Sequence, residues 1–329
     1  MNAAAPLLEV EDLRVQFHTP RGPARAVDGV DLVLRAGEVV ALLGESGCGK
    51  SVTSLALMGL LPEGPHLRRG GRIRFRGEDL EAMPPARRRA LRGGAMAMIF
   101  QEPMSALNPV MPVGAQIAEA LACHGLARGR AARTRAVQLL REVGLSEPER
   151  RAASYPHELS GGQCQRVMIA MALACDPELL IADEPTTALD VTIQKQIMAL
   201  IRELRQRRGT AVLLITHDLG VVAENADRVA VMYTGRVVEE APAATLFDAP
   251  GHPYTRGLLE SMPAMESEGG ALPAIPGQVP DLAALPPGCS FAPRCPRASA
   301  RCTAEAPPRQ EIGPGRALRC WHPLVEAMA

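Results

Sequence analysis

The chain carries no excess charge of either sign. Its 329 residues hold 36 Lys and Arg against 36 Asp and Glu, which argues against a surface built to coat nucleic acid through phosphate contacts, so no nucleic-acid partner is expected. It also lacks a long apolar run. The most apolar stretch, Val167 to Ala174, is cut by Asp176 and Pro177, far short of the ~20 apolar residues that span a bilayer. Nor does the N-terminus show a basic flank followed by an apolar segment. Met1 to Glu11 meets acidic residues at once, so no secretory signal is read there and a cytosolic location is expected. Hydrophobic side chains, by contrast, make up 47%, enough at this length for one large core and a smaller second unit.

Residues 7 to 17 and 27 to 43 read as strands, the second ending in the apolar run Val39 to Leu43 before a glycine-rich turn. Further buried-strand candidates are Ala95 to Phe100, Leu179 to Asp183 and Ala211 to Thr216, each followed by polar residues and then a helical pattern. That alternation predicts a parallel α/β sheet. Between Gln101 and Ser160 the pattern is helical, strongest over Val113 to His124 and Ala131 to Val143. Arg228 to Glu240 alternates around Tyr233-Thr234-Gly235, which predicts a hairpin. The expected division is therefore a main domain over 1–250, with a helical subdomain at about 102–165, and an extension over 251–329. In that extension Pro250, Pro253, Pro263, Pro273, Pro276, Pro280, Pro286 and Pro287 exclude long helices and predict an irregular appendage.

Three local motifs carry chemistry. Gly44-Glu45-Ser46-Gly47-Cys48-Gly49-Lys50-Ser51 satisfies the phosphate-loop pattern and sits between a predicted strand and a predicted helix, and Val52, next after it, is counted with the ATP-binding candidates. Its glycines let backbone N–H groups curl round phosphates, Lys50 reaches the β- and γ-phosphates, and the Ser51 hydroxyl is suited to Mg²⁺. Cys48 needs only to be small. Leu179 to Ala182 is an apolar strand that ends in Asp183 and Glu184. Beside a phosphate loop, these two carboxylates are candidates for holding Mg²⁺ and for activating the attacking water; alone they would read as a solvated loop. Leu159-Ser160-Gly161-Gly162-Gln163 combines a helix-capping serine with two glycines that expose N–H groups to an anion.

With this last motif the sequence resembles the ABC ATPase family, whose signature is LSGGQ. The resemblance covers residues 7 to about 250. It implies a RecA-like P-loop core with an antiparallel β-subdomain and a helical subdomain, ATP and Mg²⁺ as ligands, and a second ATPase subunit whose ATP the signature loop contacts. It further implies that Gln101 is the Q-loop residue that joins Mg²⁺ and the water to a membrane partner. Ala188-Leu189-Asp190 resembles the D-loop and His217 the switch histidine. Phe17 stands where the family stacks an aromatic on adenine, with a core Phe as the alternative. Intact Glu184 and LSGGQ imply full hydrolytic competence. A DNA-repair or chromosome-structure ATPase would separate phosphate loop and signature by a long coiled coil, but here only about a hundred residues lie between Ser51 and Leu159.

Phe100 to Pro109, Ala182 to Thr192 and His252-Pro253-Tyr254-Thr255, together with Ser51 to Ala56 and Met58-Gly59-Leu60, resemble the dipeptide/oligopeptide permease ATPases. That subfamily implies two transmembrane permease subunits, an extracytoplasmic solute-binding protein and a peripheral position on the cytoplasmic face of the inner membrane. Nickel and glutathione importers share parts of the pattern. Of eight cysteines, four crowd the tail: Cys289, Cys295, Cys302 and Cys320, spaced by five, six and seventeen residues. In a reducing compartment such a cluster suggests metal more than disulfides. A [4Fe–4S] cluster, which the permease resemblance implies, Zn²⁺ and unliganded thiols all stay open. Six arginines against two acids between Gly288 and Pro323 suit thiolate charge or a solvated surface equally.

Overall fold

Apolar side chains dominate the segments 39–43, 179–183 and 211–216 that become strands, and a glycine or proline follows the first two within two residues. In this computed structural model, which describes residues 5–186, 190–261 and 274–325, the strands run in chain order. They are β1 (Leu8–Thr19), β2 (Gly22–Leu34), β3 (Val39–Leu43), β4 (Leu67–Phe75), β5 (Glu78–Asp79) and β6 (Met96–Ile99). After these come β7 (Leu179–Asp183), β8 (Ala211–Thr216), β9 (Arg228–Tyr233), β10 (Arg236–Pro242), β11 (Gln310–Gly313) and β12 (Arg316–Leu318). Contacts gather the chain into two units. The first takes residues up to Leu7, Leu34–Glu38 and Phe75–Ile215; the second takes Leu8–Val33, Val39–Arg74 and Thr216 onward.

In the first unit β6, β7 and β8 lie parallel, with Ile99 opposite Ala182 and Asp183 opposite Ile215. All residues of these three strands are buried, as expected of a parallel sheet covered on both faces. The helices Val113–Cys123, Gly129–Glu142 and Gly161–Ala172 pack on one another; the first two match the strongest predicted helical segments, and the third begins just past the predicted stretch.

The second unit holds a sheet in the order β2-β1-β4 and a second one in which β3 runs parallel to β9. The predicted strand 27–43 is broken here, because Ala36 and Gly37 turn with Gly37 at φ 69. β9 and β10 form the expected hairpin. Its two turn residues, Thr234 and Gly235, both sit at positive φ (42 and 83), which matches the twist of the flanking strands. The tail is less irregular than its prolines predict: β12 pairs antiparallel with β10, setting Leu318 opposite Glu239, and β11 pairs with β12. That pairing joins segments far apart in sequence, which local composition does not report. Pro263 and Pro273 lie outside the described residues. Tyr233, Tyr254 and Phe291 meet in this unit's core, with Cys289 and Cys295 packed against it.

Candidate active site

In the second unit β3 delivers the chain to Gly44, and the helix Lys50–Leu57 receives it at Gly49. Gly49, in the left-handed region at φ 105, caps that helix, and a Cβ there would overlap the Ala26 carbonyl oxygen. A Cβ at Gly44 would overlap the carbonyl of Met232. Glycine is thus required at both ends of the turn. The Lys50 ammonium is buried within the loop it belongs to and donates to the carbonyls of Gly44 (2.7 Å) and Glu45 (3.1 Å). The Gly235 amide donates to the Cys48 carbonyl at 2.8 Å, so the β9–β10 turn braces the back of the loop. Cys48 is fully buried, and burial pushes its thiol up, which suits a space-filling side chain rather than a nucleophile. Ser51 and Val52 follow in the first turn of the helix, both half-buried. Phe17 is half-buried on β1.

The front of the loop is held from the other end of the chain. Glu45 donates its amide to the Tyr254 hydroxyl at 3.0 Å, and its carboxylate takes a bidentate pair from Arg294, at 2.7 and 3.1 Å. Burial pushes the Tyr254 hydroxyl well up, so it stays neutral and available as an acceptor. Tyr254 is itself fixed by its backbone amide, which donates a hydrogen bond to His252 Nδ1 (3.0 Å), and the Gly251 and His252 amides donate to the buried Glu239 carboxylate. Burial lowers His252 to about 4, which keeps that ring nitrogen free to accept.

In the first unit, Asp183 ends β7 with a buried carboxylate. Glu184 turns away at φ 46, its amide donating to the Ile215 carbonyl at 2.8 Å. A non-glycine residue in that region is uncommon and signals a turn imposed by its surroundings. Because β6 and β7 run parallel, their ends coincide, and Gln101 donates through Nε2 to Glu184 Oε2 at 3.3 Å. Ser160 caps the helix Gly161–Ala172: its hydroxyl accepts from the Gln163 amide (3.4 Å) while Gln163 Oε1 accepts from the Ser160 amide (3.0 Å). Leu159 is buried beneath this reciprocal cap, and Gly161 has open space around it. Gln165, buried one turn further on, donates to the Pro185 carbonyl at 2.6 Å. The signature helix is thereby tied to the residue after Glu184, a link the sequence motifs do not announce. Asp190 caps the helix Val191–Arg208 by accepting from the Ile193 amide; Ala188 and Leu189 lie outside the described residues. His217 stands exposed directly after β8.

The four tail cysteines are free thiols and border one small cavity together with His252 and His322. The Cys289 amide bonds the Cys302 carbonyl at 2.7 Å. Burial raises Cys289, Cys295 and Cys320, the last to about 11, and neighbouring thiols push the same way. Among the described residues, no three His, Cys, Asp or Glu side chains are gathered closely enough to hold one metal ion. No helix among them is long and apolar enough to cross a membrane.

Residues 27–187 match the family described as ABC transporter, and residues 238–302 the one described as oligopeptide/dipeptide transporter, C-terminal region. The oligopeptide transport ATP-binding protein AppD of Bacillus subtilis is 52% identical over 315 residues, covering 96% of each chain. The chain belongs to the ABC transporter family of ATP-binding subunits. Within that family it is 49% identical to the dipeptide transport ATP-binding protein DppD of Escherichia coli over 98% of both chains. Among solved structures it resembles the dimeric ATP-binding cassette MJ0796 in a post-hydrolysis state bound to ADP and Pi. There the TM-score is 0.65 and the identity 28%, over 72% of this chain and 98% of that one. The fold is that of an ABC ATPase cassette, a mixed α/β architecture, and the chain is an ABC-type ATPase.

Proposed function

We propose that this chain energises the import of dipeptides or oligopeptides across the cytoplasmic membrane. What carries the reading is the extent of the likeness. Proteins whose names specify oligopeptide and dipeptide transport share about half their residues with it over nearly the whole length, tail included. The domain division that goes with it is a nucleotide-binding part over 1–250, with its helical subdomain at about 102–165, and a transporter-type extension over 251–329.

In this reading the amides of Gly44 to Ser51 and the Lys50 ammonium bind the β- and γ-phosphates of ATP, Val52 continues the helix whose N-terminus faces them, and Phe17 stacks on adenine. The positive φ of Gly47 and Gly49 and the helix that starts at Lys50 suit a loop whose amides turn towards such an anion. Ser51, Gln101 and Asp183 hold Mg²⁺, which when bound neutralises charge developing on the transferred phosphoryl group. Glu184 orients the attacking water and takes its proton, with His217 and Gln101 fixing that geometry. Leu159 to Gln163 and Asp190 address the nucleotide held by a second ATPase subunit, identical or paralogous, so that two subunits close on two nucleotides and reopen after hydrolysis. The segment after Gln101 passes that movement to two transmembrane permease subunits, which an extracytoplasmic binding protein supplies with cargo. The chain then works as a peripheral protein on the cytoplasmic face of the inner membrane. Cys289, Cys295, Cys302 and Cys320 are proposed to hold a [4Fe–4S] cluster, with Zn²⁺ as the alternative, on the ground that the four thiols border one cavity; either group would require them to draw closer together than they stand in this structure.

Uptake of labelled di- and oligopeptides into proteoliposomes carrying the full transporter tests the cargo. ATP-dependent accumulation that disappears with Lys50→Ala is the expected outcome. Nickel or glutathione uptake that depends on Lys50, with peptide uptake unaffected, would keep the ATPase and remove the peptide.

A further inference from the structure

A phosphate loop works by presenting amides already aimed at the anion, and glycines make that expensive to arrange because they lose the most freedom on ordering. Gly44, Gly47 and Gly49 all sit at positive φ, so something must hold the loop between its ends. At the back, Gly235 braces Cys48. At the front, both contacts come from residues beyond the hairpin: the Tyr254 hydroxyl on the Glu45 amide and the Arg294 guanidinium on the Glu45 carboxylate.

Arg294 is buried and pre-aimed for this contact. Its side chain is 4% exposed. Besides Glu45, its N–H groups donate to the Pro276 carbonyl at 2.9 Å and, at longer range, to the Ile275 carbonyl and the Tyr233 hydroxyl. The guanidinium lies 5.9 Å from the Tyr233 ring centroid, and Tyr233 packs against Tyr254 and Phe291. The fork is therefore aimed before Glu45 arrives. Its second effect is electrostatic. Glu45 puts a carboxylate inside a loop read as binding a polyanion, and unneutralised that charge would repel phosphate; the bidentate pair draws it aside and cancels it.

We propose that Arg294, in the C-terminal tail, is a positioning residue for the phosphate loop, holding Glu45 so that the loop's amides and not its carboxylate face the nucleotide. Tyr254 shares the task through the Glu45 amide. The proposal rests on the reading of Gly44 to Ser51 as the ATP site, and it makes the tail a working part of that site rather than an attachment to it.

The test measures binding of a fluorescent ATP analogue to the full-length chain, and the KM for ATP and kcat in the assembled transporter. Arg294→Gln should weaken binding roughly tenfold and raise KM far more than it lowers kcat. Arg294→Lys should recover part of the loss. Adding Glu45→Gln to Arg294→Gln should recover more, since it removes the exposed charge. A role confined to holding the fold would move the denaturation midpoint across these variants and leave the KM of the folded protein at its wild-type value. Should Arg294→Gln fail to fold, Tyr254→Phe removes only the hydroxyl and should raise KM several-fold. Wild-type affinity in a folded Arg294→Gln, no recovery on adding Glu45→Gln, or wild-type KM in Tyr254→Phe would each overturn the proposal. Lys50→Ala separates the two levels: if it too binds nucleotide normally, the ATP-site reading has failed, and not the role of Arg294.

Discussion

Glu184 shows how far single residues can be read without a structure. An acid that ends an apolar strand, one place after Asp183, became a candidate only beside the phosphate loop, since two acids at a strand end would otherwise read as a solvated loop. The structure adds the hydrogen bond from Gln101 and the turned backbone that aims the carboxylate. Glu184→Gln should leave ATP affinity within about twofold and cut turnover by roughly 10²–10⁴, the usual worth of a general base. Single-turnover hydrolysis and the elution volume of the ATP-loaded protein check it: a persistent dimer with little phosphate release is expected, and full turnover would remove Glu184 from its role. Tyr254 and Arg294 were not legible in this way. Tyr254 stood out only as a mark of kinship and Arg294 only as one of six tail arginines, because each acts on a partner more than two hundred residues away.

Among the elements, the helix Gly161–Ala172 combines two roles in one cap. Its serine satisfies the helix's own amides and is also the group proposed to meet a partner's nucleotide. Ser160→Ala should cost roughly 1 kcal/mol of stability, and Ser160→Asp should restore most of it, since aspartate caps as well as serine. ATPase activity should follow a different order, lost in both variants, because a carboxylate repels the γ-phosphate. Denaturation midpoints set beside turnover decide it, and activity that tracked stability would reduce the serine to a cap. Strand reading shows the same divide between local and distant information. β6, β7 and β8 were legible because parallel strands buried on both faces are continuously apolar. The turn at Gly37 was hidden inside a longer apolar pattern, and β11 and β12 were hidden among prolines because a strand of three or four residues is made by its partner.

For the whole molecule, the tail joins three things that the sequence presents apart: sheet, thiol cavity and phosphate loop. The bond from Arg294 to Glu45 runs from a residue that immediately precedes Cys295. Anaerobic purification followed by metal and sulfide analysis should find about four irons and four sulfides per chain if the cavity holds the proposed cluster. One zinc would favour the alternative reading, and neither metal would sink both. The same bond also has a consequence for how the protein is made. Arg294 follows Glu45 by 249 positions, and at about 5–20 residues per second the ribosome needs roughly 12–50 s to travel between them. Only once His217 has been made does the emerging chain contain every motif of an ATPase, and over the 77 residues from there to Arg294, roughly 4–15 s, it lacks the clamp on its loop. ATP should therefore be held well only by chains whose synthesis is nearly complete, which keeps half-made subunits from competing for nucleotide or closing on a partner too soon.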